Sequence, residues 1–237
     1  MADGVDRGRR VIAAGAAVAA LFSGLGLAVA TGSVGLAAYV SEAGVPGAGY
    51  AGLYRASVLG IAGALALLAY ALSPRPGLAT GTRLGSGVAG FAAMLSLVSA
   101  AAPCSPGCPL PPHETPTPTD LVHAGASVAG LALTALVMLV LTVHAGDPLI
   151  RRISAVGAAV AVPLLAAAGL SILLAGRGLV TGLLERVALV ACVGWLVATA
   201  LRRSALRRSA AAWMPAPPPG AAAGPAPAGL STDLAQG

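Results

Sequence analysis

Between Pro103 and Ser127 the chain reads Pro-Cys-Ser-Pro-Gly-Cys-Pro-Leu-Pro-Pro-His-Glu-Thr-Pro-Thr-Pro-Thr-Asp-Leu-Val-His-Ala-Gly-Ala-Ser. This stretch holds two of the three cysteines, two of the three histidines and two acids, between segments almost empty of reactive groups. Cys104 and Cys108 flank Ser105-Pro106-Gly107, a turn-forming triplet, so a small disulfide is one reading and two free thiols another. A metal site completed by His113 and His123 is a third reading. The spacing C-x3-C followed by H-x9-H matches no standard zinc pattern, so no metal is expected.

Asp120, His123 and Ser127 stand at i, i+3 and i+7, which places them on one helix face. A carboxylate orienting an imidazole beside a hydroxyl is the arrangement of an activated nucleophile, which makes these three the catalytic candidates. The structural alternative is a helix start, with Thr119 or Asp120 as cap and a negative charge favoured in the first turn. His123 then serves as a hydrogen-bonded structural histidine. Ser41, Glu42, Arg55, His113, Glu114, Glu185 and Arg186 complete the set of polar residues that could line a ligand pocket. Glu185 and Arg186 fall well inside an apolar run, where an unpaired charge costs about 2.5–3.5 kcal/mol. They are therefore expected to pair, Arg186 with Asp120 or Glu42 and Glu185 with Arg55, or to reach outward.

The elements that must position these groups are transmembrane helices. Only 9% of the residues are charged and mean hydropathy is +0.86, whereas a soluble domain carries roughly 25% charged residues. Six apolar runs, at about 11–40, 55–72, 84–102, 120–144, 153–176 and 179–201, each supply the ~17–25 residues needed to cross a bilayer. The fold class expected is all-α, a polytopic bundle of six transmembrane helices. Residues 1–10 form a short polar start. Ser73-Pro74-Arg75-Pro76 breaks the chain after the second run. Pro163 within the fifth run is tolerated in lipid. Ala28-Val29-Ala30 resembles a signal-peptidase site, yet the apolar region continues well past it, and an uncleaved first helix is expected. Residues 202–213 make a basic juxtamembrane segment suited to an anionic leaflet. Residues 214–237, rich in Pro, Ala and Gly, read as a disordered tail.

All 14 basic residues are arginines, a bias of GC-rich coding that suggests a bacterial chain in the plasma membrane. They sit at the ends of apolar runs rather than in a patch, which argues against nucleic acid as partner. With the N-terminus inside, Arg7, Arg9, Arg10, Arg75, Arg83, Arg151, Arg152, Arg202, Arg203, Arg207 and Arg208 lie inside. Only Arg55, Arg177 and Arg186 lie outside. That asymmetry predicts both termini cytoplasmic and puts the Cys/His loop, with most of the acids, on the outer face. Tyr50 and Tyr54 read as outer interfacial anchors, and Cys192 as a small buried hydrophobe. Abundant Gly, Ala and Ser predict close helix approach, for example at Gly60-x-x-Gly63 and at Gly125 near Ser127.

Ser41-Glu42-Ala43-Gly44 after the first run, Gly107-Cys108-Pro109 after the third, and Asp120-Leu121-Val122-His123 opening the fourth carry a resemblance. Over roughly residues 11–200 the chain resembles the bacterial domain of unknown function 998 family, small membrane proteins of about six helices. The resemblance implies the span count and no activity. That family is in turn distantly similar to six-helix eukaryotic membrane proteins of the Frag1 and autophagy-modulator type.

The scarcity of paired catalytic groups and the one-sided polar cluster favour a non-enzymatic protein. Its expected role is to bind a lipid or small molecule in an outward-facing polar pocket, or to support a partner. Membrane lipids are the expected contacts, with a membrane-protein partner or a second copy left open, and no cofactor is expected. An outer-leaflet intramembrane hydrolase using His123 and Asp120 is the alternative. A small transporter is the third reading, weakened because the first, third and fifth runs lack interior charges.

Overall fold

The computed structural model describes residues 2–73 and 80–206. The Pro74-Arg75-Pro76 break, Arg207 and Arg208, and the tail at 214–237 lie outside the described residues. Among the described residues, six helices and one short 3-10 turn account for the regular structure: α1 (Ala2–Gly32), the turn at Val40–Gly44, α2 (Ala51–Leu72), α3 (Thr80–Ala101), α4 (Pro118–His144), α5 (Pro148–Ala175) and α6 (Leu179–Ala205). All six are long and apolar enough to cross a membrane. Among the described residues there is no strand.

Several helix bounds differ from the sequence expectation for local reasons. α1 already runs from Ala2, so the polar start is helical, and it stops at Gly32 rather than near Val40. Beyond it, Arg186 gathers the carbonyls of Gly35 and Ala38 at 3.2 and 3.1 Å, together with its own helix's Gly182 at 2.9 Å. An arginine on those carbonyls satisfies acceptors that a continued helix would have used. α5 begins at Pro148, ahead of the expected Ile153, because Asp147 caps it through the Ile150 amide at 2.9 Å and proline fits the first turn. Pro163 leaves α5 unbroken.

Each helix packs on its neighbours in the chain, and α6 closes against α1, so the six helices form a ring. Small residues set the α1–α2 seam. A Cβ on Gly60 would run into Ser23, and one on Gly26 would run into Ser57 and Leu53. Gly63 and Gly125 face open space instead, so close approach is confined to part of what composition suggested.

Inside the ring, one half is solid. Leu65 and Leu68 of α2, Val137, Met138 and Leu141 of α4, Trp195 and Leu196 of α6, and alanines of α1, α3 and α5 fill it. Trp195 donates its indole N–H to Ser154 Oγ at 3.2 Å. At the margin of this half, Arg202 grips Asp147 through Nε at 3.1 Å and Nη2 at 2.7 Å. Arg203 donates to the Ala71 carbonyl at 3.0 Å, and Arg9 to that of Ser73, so two arginines complement the negative end of α2. The other half is capped by the long connections 33–50 and 102–117 and by the short α5–α6 turn. Beneath that cap the ring is hollow.

Candidate functional site

A cavity of about 440 Å³ occupies the hollow half, within the ~300–1,000 Å³ range of small-molecule sites. All six helices contribute to its wall. On α4 the lining runs from Asp120 to Thr134, about 21 Å of helix at 1.5 Å per residue. The deep part is apolar, with Ile61, Leu131, Leu165 and Val193 among its walls. Deep hydroxyls have their protons engaged by their own helices: Thr134 Oγ1 donates to the Gly130 carbonyl and Ser96 Oγ to that of Ala92. The polar groups gather beneath the cap, where Ser41, Tyr54, Ser99, Asp120, His123, Ser127 and Glu185 meet the same space.

Asp120 is held at the cap by four donors. The Ser105 amide reaches Oδ1 at 2.7 Å, and the Ser105 hydroxyl reaches Oδ2 at 2.8 Å. The Thr117 amide and hydroxyl both reach Oδ2 at 2.7 Å. Thr117, rather than Thr119 or Asp120, is the N-cap of α4, and Asp120 is the third helical residue of a capping box. The carboxylate therefore fastens the Cys104–Cys108 loop to the start of α4. Cys104 and Cys108 are joined in a disulfide whose sulfurs pack with Tyr39 and Val45.

His123 is 6% exposed. Its Nδ1 lies 2.9 Å from the Ser99 carbonyl oxygen and 2.8 Å from that of Ala102. A carbonyl can only accept, so Nδ1 carries the proton. Ser127 Oγ donates to the His123 carbonyl at 2.8 Å and lies 2.7 Å from Ser99 Oγ. With the Ser127 proton committed to that carbonyl, Ser99 is the donor between the two hydroxyls. The expected carboxylate–imidazole–hydroxyl relay is therefore not assembled. Asp120 turns to the loop, the imidazole to α3, and Ser127 to its own helix. Nε2 of His123 is buried without a hydrogen-bond partner among the described residues.

The remaining predicted site residues divide. Ser41 and Glu185 line the cavity; Glu42, Arg55, His113, Glu114 and Arg186 do not. The expected ion pairs are not those formed. Glu42 pairs with Arg177, whose Nε lies 2.8 Å from Oε1, and also receives the Tyr39 amide at 2.8 Å. Glu185 accepts from the Val40 amide at 2.9 Å. Arg55 donates to the Gly44 carbonyl and Arg186 to the carbonyls beyond α1. Backbone carbonyls were the better partners because the loop brings them over the helix ends, and residue type cannot disclose that. His113 meets the Leu173 carbonyl at 3.1 Å on an exposed surface, and Glu114 the Leu110 amide. Tyr54 is no interfacial anchor: it is buried against Val40 and Ala43 and faces the cavity, while Tyr50 is exposed. Ser99, Ser105 and Thr117 were missed. Their signal was a serine inside an apolar helix and a Thr-Pro start.

Among the described residues no group of three or more His, Cys, Asp or Glu is placed to hold a metal ion. In the cap, burial pushes the Tyr39 hydroxyl pKa up to about 12, with Glu114 and Glu185 adding to the effect.

The sequence model of the family described as protein of unknown function (DUF998) matches residues 11–202. The chain belongs to the DUF998 family. The matched region takes in all but the outermost ends of the DUF998 ring and every residue of the cavity wall. No curated protein and no solved structure matches the chain.

Proposed function

We propose that this chain is a non-enzymatic membrane protein that holds one lipid-like amphiphile in the ring cavity, its polar end beneath the cap and its apolar part between the helices. The single observation behind this reading is the division of the wall, with polar groups under the cap and hydrocarbon below. The arginine asymmetry supports threading with the cap outside, in the plasma membrane of a bacterium, so that the polar end faces the exterior. A hydrolase is less well supported, since the three candidate groups each hold separate partners.

Native mass spectrometry of the detergent-purified protein tests the reading. One bound amphiphile per chain is expected. Ala188, buried in the wall, offers the control: Ala188→Phe fills the space and lowers occupancy. Protein that carries no amphiphile and takes none up from mixed micelles would sink the proposal.

A further inference from the structure

The hydrogen-bond pattern around His123 selects among amphiphiles. Three protons circulate in a closed set: Ser99 Oγ–H to Ser127 Oγ, Ser127 Oγ–H to the His123 carbonyl, and His123 Nδ1–H to the Ser99 carbonyl. None of these donors is left for a ligand. In the neutral ring the unused valence is the lone pair on Nε2, an atom buried without a partner among the described residues, on a residue that lines the cavity. A buried polar atom without a partner costs free energy that a ligand donor would recover.

Charge narrows the choice further. Among the described residues the wall contains Asp120 and Glu185 and no arginine. A phosphate or carboxylate head group would meet acids with no cation to offset them, and its own desolvation would go uncompensated. An ammonium would suit the acids better. However, both Asp120 oxygens are already engaged, and a buried ammonium needs several acceptors. A hydroxyl carries no charge, donates one proton and accepts in return. Tyr54 and Ser41, two further residues that carry hydroxyls, line the same cavity.

We infer that the ligand is an uncharged long-chain alcohol, or another neutral lipid with a free hydroxyl, which donates to His123 Nε2 while its chain fills the apolar part of the cavity. This deepens the amphiphile reading and rests on it. The test compares four probes of equal chain length at neutral pH on the delipidated full chain in detergent: the primary alcohol, its methyl ether, the carboxylic acid and the primary amine. Occupancy is read by native mass spectrometry and affinity by competition with a fluorescent lipid. The alcohol is expected to bind about tenfold more tightly than the ether, the worth of one recovered hydrogen bond, and more tightly than acid or amine. In His123→Gln and His123→Ala the gap between alcohol and ether is expected to close. Equal binding of alcohol and ether to the unaltered protein overturns the inference while the amphiphile reading stands. Preference for the acid or amine also overturns it, by showing that the polar end reads charge. Retention of the alcohol preference in both His123 variants removes Nε2 from the account. Binding of none of the four overturns the inference and the amphiphile reading together. The probe series on the unaltered protein decides even where a variant fails to fold.

Discussion

Both carboxylate oxygens of Asp120 are bound by Ser105, the amide N–H at 2.7 Å and the hydroxyl at 2.8 Å, although the two residues belong to different elements. A residue that the sequence offered either as the carboxylate orienting His123 or as part of a helix start thus acts as a clamp between the disulfide loop and α4. The cap over the cavity depends on that clamp, because Cys104, Cys108 and Asp120 all border the same space.

Asp120→Asn should therefore destabilise the protein. The Ser105 and Thr117 amides approach different oxygens, and an Asn side chain has one acceptor oxygen and one donor nitrogen. One amide must then face an N–H group. The expected loss is about 1–3 kcal/mol, that of a buried donor left unsatisfied. Thermal unfolding in detergent measures it, and an unchanged midpoint would show that the clamp carries no stability.

Opening the disulfide should loosen the same cap. For so short a loop the chain-entropy account gives about 2 kcal/mol. The Cys104→Ser/Cys108→Ser double variant is expected to unfold earlier and to release bound lipid faster. Its exchange rate against labelled lipid, with reductant added to the unaltered protein as a parallel arm, checks this.

The fold was legible because lipid imposes one solution on long apolar runs: helices whose backbone groups bond internally. Runs of adequate length at 55–72, 84–102 and 179–201 could be counted before any geometry was known, and the helices found there span 51–72, 83–101 and 179–205. The limits of α1 were not legible, since Ser33 to Tyr39 is as apolar as a helix yet ends up as a loop, tied down by Arg186 on the Ala38 carbonyl and by Glu185 on the Val40 amide that follows. The site was half legible. Asp120 and His123 stood out by type, and their common face was readable from spacing. Which partner each would choose was not, because Ser105, the Ala102 carbonyl and the Val40 amide are ordinary until the loops fold over the helices. Tyr54 was misread for the same reason. An aromatic near a span end suits the interface equally well, and only the Val40–Gly44 turn, closing over it, makes it a wall residue.

The Asp147–Arg202 pair gives a pH dependence of definite sign. Hydrogen bonds from Arg202 hold the Asp147 carboxyl below its ordinary value of 3.8, with the Ile150 amide assisting. A depressed value means that the pair stabilises the folded state above the ordinary carboxylate range, and that this is lost as pH falls through the folded value. Asp147→Asn should lower the unfolding midpoint at pH 7 and have a much smaller effect near pH 2. A gap between variant and unaltered protein that is the same at both pH values would refute the linkage.

The α1–α2 seam offers a test of packing independent of any ligand. Ser23 lies where a Cβ on Gly60 would stand, and helix association in lipid depends on such close approach because no hydrophobic drive separates helix from tail. Gly60→Ala should destabilise the bundle by pushing α2 from α1, and removing the opposing hydroxyl in Ser23→Ala should restore part of the loss. Residues in contact commonly show coupling of about 0.5–3 kcal/mol, so the double variant should be more stable than the sum of the singles predicts. Measured by unfolding in mixed micelles, strict additivity would mean that the two positions do not meet and that the seam lies elsewhere on these helices.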